Sequence, residues 1–226
     1  MSRFDAVFFD LDGTLCRRVQ DAGPMYEAAF ADAGVAPFGE PAALWDALDG
    51  PPDPDDRVGY LGSGFARLAA QNGRRDVDPV VLAEHLLDRI DNTQVELRPG
   101  AEAALESAAA TGSTGLLTNG PSGRQTVKVE ALGLRDRFDV CVYAGDLPRR
   151  KPHAAPFERA LSAAGVSADR ALYVGDSLPY DVAGAHNAGL EVAWLRPAPD
   201  EDAGEYRPEY VLDSLSDLVG VVERPR

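Results

Sequence analysis

The sequence predicts an α/β fold: a doubly wound, mostly parallel sheet with helices on both faces. Short, continuously apolar runs bounded by Gly, Asp or Asn recur along the chain, and segments of helical spacing lie between most of them. Strands apolar on both faces suit a parallel sheet covered on each side, because every strand is then buried twice over. One interval, residues 16–92, breaks the alternation, and it predicts a smaller all-helical domain inserted after the first strand. The chain has 226 residues and 45% hydrophobic side chains, enough for a sizeable core without disulfide or metal staples.

The first strand is expected at residues 6–9, and later ones at 114–117, 140–143, 171–174 and 192–195, with a last short strand near 210–212. Helical spacing covers 100–111, 123–132, 154–164 and 179–188, and a terminal helix runs to about residue 222. Within the insert, amphipathic segments occupy 24–33, 41–48, 54–70 and 79–90. Each has Pro near its start, where a missing amide donor costs little. Residues 50–55, Gly-Pro-Pro-Asp-Pro-Asp, read as a turn inside the insert, and 197–208 as a solvated loop. These divisions give an α/β core of residues 1–15 and 93–226, and a helical insert of 16–92.

Thirty-seven acidic against 22 basic residues leave a net charge of −15, which disfavours nucleic acid or an anionic membrane surface as the main partner. A phosphorylated ligand must therefore be met by local cations. Lysine occurs only at Lys128 and Lys151, and arginine supplies the other basic residues. This acidic, lysine-poor composition fits a salt-loving, halophilic source and equally a high-GC coding bias. Cys16 and Cys141 form neither a disulfide framework nor a zinc pattern, so a reducing cytoplasm is expected. No apolar run is long enough for a spanning helix, and the amino-terminal stretch carries acids where a signal peptide would be apolar.

Three predicted strands end in reactive groups. The first runs into Asp10-Leu11-Asp12-Gly13-Thr14, at the carboxyl edge where open α/β sheets bind ligands. Residues i and i+2 of an extended chain share a side, so both carboxylates can face one small volume; a cation or shared proton must then offset their repulsion. Asp12-Gly13 also fits a simple strand-ending turn. A second strand ends in Thr118-Asn119-Gly120, whose hydroxyl and amide can donate to phosphoryl oxygens, although Asn-Gly is an ordinary turn as well. A strand ending in Gly175-Asp176 is followed by Asp181, and hard oxygens gathered from two strand ends suit Mg2+. Both acids could instead cap the following helix. Arg149-Arg150-Lys151-Pro152 precedes another helix; Lys151 is either a point charge for the site or part of a solvated basic run.

The ordered set Asp10-x-Asp12-Gly13-Thr14, Thr118-Asn119, Lys151-Pro152 and Gly175-Asp176-(four residues)-Asp181 resembles the haloacid dehalogenase-like (HAD) hydrolase superfamily over nearly the whole chain. The resemblance implies a Rossmann-like core with a helical type-one cap in residues 16–92. It also implies a Mg2+-dependent phosphatase acting on a small phosphorylated metabolite. Asp10 would be the nucleophile, forming an aspartyl-phosphate, and Asp12 the acid and then the base. Thr118, Asn119 and Lys151 would hold the phosphoryl group. Asp10, Asp12 through its backbone carbonyl, and Asp176 would bind the metal, with Asp181 in or near its shell. Relatives that cleave carbon–halogen bonds lack the second acid and need no metal, so Asp12 favours phosphate chemistry over a 2-haloacid dehalogenase. A phosphomutase uses the same core and stays open, as does a non-catalytic binding protein retaining the fold. A phosphonate-cleaving relative would bring a cap lysine, and residues 16–92 contain none.

Lesser features carry weaker expectations. His85, His153 and His186 lack metal-ligand spacing and are expected to be structural or on the surface. The Gly59, Gly62 and Gly64 cluster reads as a flexible loop over the substrate or as a helix irregularity. Arg17, Arg18, Arg149 and Arg150 either add positive potential near the site or pair with surface acids. Trp45 and Trp194 are expected in a core or an interface.

Overall fold

The structure is a computed structural model that describes residues 3–48 and 56–223. The expected turn at 50–55 and the first residues of the segment expected at 54–70 lie outside the described residues. Two compact units divide the chain: Met1–Arg18 with Asn92–Arg226, and Val19–Asp91.

The larger unit is built on a six-stranded, wholly parallel sheet. Its strands are β1 (Ala6–Phe9), β4 (Ser113–Thr118), β5 (Val140–Tyr143), β6 (Ala171–Gly175), β7 (Glu191–Leu195) and β8 (Tyr210–Leu212). They lie in the order β5-β4-β1-β6-β7-β8. The first strand is thus central, with the chain leaving it for β4 on one side and β6 on the other. In register, Phe9 faces Leu116 of β4 and Val174 of β6, so the carboxyl ends of all three strands reach one edge together. Such a switch point opens a crevice beyond the strand ends.

Alternation along β1 divides the core in two. Val7 and Phe9 point to a layer with Leu116 and Val174, covered by α5 (Ala101–Thr111), α6 (Ser122–Ala131) and α9 (Leu218–Val222). Ala6 and Phe8 point to the other, with Leu117, Tyr173 and Trp194, under α7 (Ala154–Ala164) and α8 (Ala183–Asn187). Where the spacing predicts one helix over 179–188, a π-helical turn at Leu178–Val182 leads into α8. Pro179 lies at its start, and the wider turn sets Asp181 inward.

A short antiparallel pair, β2 (Cys16–Arg18) and β3 (Val95–Leu97), corrects the expectation that residues 16–92 contain no strand. Three residues with two exposed arginines offer no apolar period, and the pairing is long-range: Arg17 bonds Glu96, 79 positions away. Arg17 thus pairs with a surface acid, and Arg18 donates to Asn92.

The smaller unit holds α1 (Ala22–Asp32), α2 (Pro41–Asp46), α3 (Arg57–Gln71) and α4 (Pro79–Asp88). Pro41 and Pro79 open their helices, whereas α1 starts two residues before Pro24 because the Asp21 side chain accepts from Gly23 N–H at 2.9 Å. Its core is aromatic: Phe30 lies 4.8 Å from Tyr26 and 4.9 Å edge-on to Phe38, and Phe65 packs on both Tyr26 and Phe30. The glycine cluster is neither loop nor irregularity. It lies in α3, where a Cβ at Gly64 would sit 2.7 Å from Leu48 and 3.0 Å from Leu44 of α2, so this glycine allows close packing, whereas one at Gly62 would make ordinary contact, 3.6 Å from the Pro79 carbonyl. Trp45 is not in a core: it is 49% exposed, on α2, whose buried residue is Leu44. Among the described residues no helix is long and apolar enough to cross a membrane.

Gly115 tests the packing of the central strands. A Cβ there would meet Cδ1 of the buried Phe8 ring at 2.3 Å. Gly115→Ala is expected to cost about 1–3 kcal/mol by overpacking, read as a lower urea midpoint with an unchanged slope.

Candidate active site

Every motif residue named above belongs to the larger unit, and the strand ends bring most of them together. Asp10 follows β1, and its N–H donates to the Val174 carbonyl at 2.9 Å, carrying the ladder one residue past the strand. The chain then turns at Gly13, whose φ of +89° favours glycine. A Cβ at Gly13 would also lie 2.4 Å from Oδ2 of Asp176, so glycine is what lets that acid approach. Thr14 donates to Oδ1 of Asp176 at 2.8 Å, and the Trp194 indole N–H donates to the Asp176 carbonyl at 2.9 Å. Trp194 is therefore a core residue that also anchors a strand end.

Asp181 arrives from the π-helical turn. Its Oδ2 accepts from Ser177 N–H at 2.9 Å, and it packs over Gly175, where a Cβ would lie 2.4 Å from its Cγ. Lys151 sits between the acids and is buried. Its ammonium donates to Oδ1 of Asp10 at 2.7 Å, to Oδ1 of Asp181 at 2.6 Å and to the Tyr173 hydroxyl at 2.9 Å, with the Leu117 carbonyl a longer acceptor at 3.4 Å. The Tyr173 hydroxyl in turn donates to the Leu117 carbonyl at 2.9 Å. Asn119 grips the Lys151 main chain at both ends: Nδ2 donates to its carbonyl at 3.1 Å and Oδ1 accepts from its N–H at 2.9 Å. In this arrangement Asn119 places the lysine, and the basic run is not a solvated stripe at position 151.

Carboxylate oxygens of Asp10, Asp176 and Asp181, one from each, lie within 4.8 Å of one another. Three carboxylates and one ammonium carry a formal charge of −2. A single divalent cation would cancel it, and three hard oxygens are the donor set such an ion takes. The electrostatics point the same way. Burial pushes the Asp10 carboxyl up and Lys151 pulls it back, but with Asp181 and Asp176 adding repulsion it stays well above the usual carboxylate range. Burial, then Asp181, raises Asp176, with Thr14 partly offsetting them. Burial disfavours the Lys151 ammonium, yet Asp10 and Asp181 outweigh it and raise its pKa.

Asp12 is held apart from this cluster. Its half-exposed carboxylate turns to α6, where Lys128 donates to Oδ1 and Oδ2 at 2.6 and 2.8 Å and Gln125 to Oδ2 at 2.8 Å. Burial acts to raise its pKa, but Lys128 and then Gln125 hold the carboxyl below its usual value. The Gln125 amide also donates to the Thr118 hydroxyl at 2.7 Å, which links β4 to Asp12. Gln125, Lys128, Tyr173 and Thr14 had no assigned role in the sequence. The one available signal was Lys128, a rare lysine three residues after a glutamine and hence on the same helix face. Two of the three histidines take structural places: His153 caps α7, and His186 pairs with Glu209, while His85 lies in the last turn of α4.

This combination of a central first strand, an acid pair at its end and a buried lysine between strand-end carboxylates defines a class of α/β hydrolases. A haloacid dehalogenase-like hydrolase profile matches residues 4–189. The chain is 31% identical over 224 residues to the pyrimidine 5'-nucleotidase YjjG of Escherichia coli (strain K12), covering 96% of each protein. It is 33% identical over 229 residues to a phosphoglycolate phosphatase of Cereibacter sphaeroides (strain ATCC 17029 / ATH 2.4.9), covering 94% of this chain and 96% of that protein. A crystal structure from Haemophilus somnus 129pt, described as that of a predicted phosphoglycolate phosphatase, superposes with a TM-score of 0.74. It is 22% identical and covers 99% of this chain and 100% of its own, a likeness of fold. The chain belongs to the haloacid dehalogenase-like hydrolases.

Lys151→Met should expose how much the buried ammonium holds. It leaves the Asp10 and Asp181 charges without their shared partner, and the expected loss at neutral pH is about 3–5 kcal/mol in urea unfolding. As pH falls the Asp10 carboxyl, already held above its usual range, takes up a proton and no longer needs the ammonium, so the deficit should shrink.

Proposed function

We propose that the protein is a Mg2+-dependent phosphatase that releases phosphate from a small phosphorylated metabolite. The observation that carries this is the division of the two acids of the first motif. Asp10 lies beside Lys151 and the other carboxylates, and Asp12 lies outside that cluster, fixed by Lys128 and Gln125. This division supports a reading in which one carboxylate attacks and the other handles protons. The nucleotidase and phosphoglycolate phosphatase relatives support the same chemistry, and Asp12 would serve no purpose in displacing a halide.

In the proposed cycle Asp12, which rests as a carboxylate beside Lys128, first takes up a proton from solvent; a carboxylate oxygen of Asp10 then attacks phosphorus, the phosphorus–oxygen ester bond breaks, and the leaving oxygen takes that proton from Asp12. Asp12, now a carboxylate, removes a proton from the water that attacks the aspartyl-phosphate. Phosphate departs and both acids are restored. The Thr118 hydroxyl accepts from Gln125 and keeps its own proton for a phosphoryl oxygen. Lys151 balances charge on Asp10 and on the transferring group, and Asn119 keeps it in place. Asp10, Asp176 and the Asp12 backbone carbonyl would hold Mg2+, with Asp181 in or beside its shell. The ion would supply positive charge to the phosphoryl oxygens.

The helical unit Val19–Asp91 is proposed as the cap that selects the leaving group. The net charge argues against nucleic acid as substrate, and a cytoplasmic setting suits two free cysteines.

Two measurements test this reading. Asp10→Asn keeps the shape of the side chain and removes its charge. It should abolish phosphate release from p-nitrophenyl phosphate, a loss of at least about 10³-fold, and full activity in that variant would overturn the assignment. Mg2+ binding must displace the protons that Asp10 and Asp176 hold above the usual range. Affinity measured by calorimetry should therefore weaken as pH falls.

A further inference from the structure

Lysine is used twice in this chain, and both side chains are buried: Lys151 against Asp10, Lys128 against Asp12. Each acid of the first motif thus has its own enclosed ammonium. Burying an ammonium is costly unless a charged, hydrogen-bonded partner is in reach. At Lys128 the two partners are unequal. The lysine is 4% exposed and fixed in α6, whereas the Asp12 side chain is 49% exposed. The enclosed group is the anchor, and the accessible carboxylate is what it holds.

Gln125, three residues earlier on the same helix face, is 1% exposed. It donates both to Oδ2 of Asp12 and to Oγ1 of Thr118. Its own amide oxygen is buried with no hydrogen-bond partner among the described residues. A buried amide that leaves its acceptor unused forgoes stability, and a demand on its donor side accounts for that. Gly120 makes the room, since a Cβ there would stand 2.5 Å from the Gln125 amide. The proton-handling carboxylate and the phosphoryl-holding hydroxyl are therefore tied to one amide on one helix.

We propose that Gln125 and Lys128 are positioning residues that fix the Asp12 carboxyl in the orientation from which it serves the leaving oxygen. Gln125 also sets its distance from Thr118. The inference rests on the phosphatase reading above. It adds two residues that act through Asp12 without touching substrate. If the clamp only supported the fold, its removal would affect all substrates alike. If it orients the acid, removal penalises substrates in proportion to how much their leaving group needs a proton.

The test compares kcat/KM, which reports the step in which the leaving group departs, for an alkyl phosphate (glycerol phosphate) and an aryl one (p-nitrophenyl phosphate). Lys128→Met is expected to lower kcat/KM for the alkyl ester by about 10²-fold or more and for the aryl ester by less than about tenfold. Lys128→Arg, which keeps a charged donor, should recover part of the alkyl activity. Gln125→Met should show the same selectivity, and it decides the matter if Lys128→Met does not fold. Equal losses on the two esters, or none, in whichever variant folds would overturn the positioning role. No phosphate release by the wild-type protein from either ester would overturn the phosphatase reading itself, and this inference with it.

Discussion

One buried ammonium organises the carboxyl edge of the sheet. Lys151 reaches Asp10 across 141 positions of sequence and Asp181 across 30, and Tyr173 of β6 supplies its third partner. An isolated ammonium at that depth would be unsustainable; with two carboxylates and a hydroxyl arranged around it, the charge is retained. The arrangement needs β1 between β4 and β6, because only that order brings Asp10, the Asn119 grip and the turn bearing Asp181 to one edge. Sheet order and site chemistry are thus one constraint.

The same local electrostatics separate two acids that are two residues apart. Asp10 is enclosed among other carboxylates and its pKa is raised, while Asp12, turned to Lys128 and Gln125, is lowered. Pairs of titratable groups driven in opposite directions are how one site assigns different roles to identical side chains. Here Asp10 is turned to Lys151 and Asp12 to Lys128 of α6. The strongly negative chain supplies both countercharges from its interior.

Much of this was legible in the sequence because the signals were local. Continuous apolar runs marked β1, β4, β5, β6 and β7, and the residue types just beyond them marked Asp10, Thr118 and Asp176. The β2–β3 pair was not legible: a three-residue strand with two outward arginines depends on a partner far along the chain. Asp10-x-Asp12 suggested two carboxylates facing one volume. In the structure the two acids have different hydrogen-bond partners, Lys151 for Asp10 and Lys128 with Gln125 for Asp12. Gln125 and Lys128 were hidden for a related reason. A polar pair on a helix reads as solvated until the helix face is known to pack against the strand ends. The glycines of α3 were ambiguous because close helix packing leaves no pattern distinct from flexibility.

Enclosure of both lysines also gives the outer surface an unusual reactivity. Its positive side chains are guanidinium groups, which amine-selective acylating reagents and acetyl-transfer chemistry do not modify. Covalent labelling at Lys128 or Lys151 would therefore require the strand edge to open, and the rate of such labelling would serve as a clock for local unfolding of that edge.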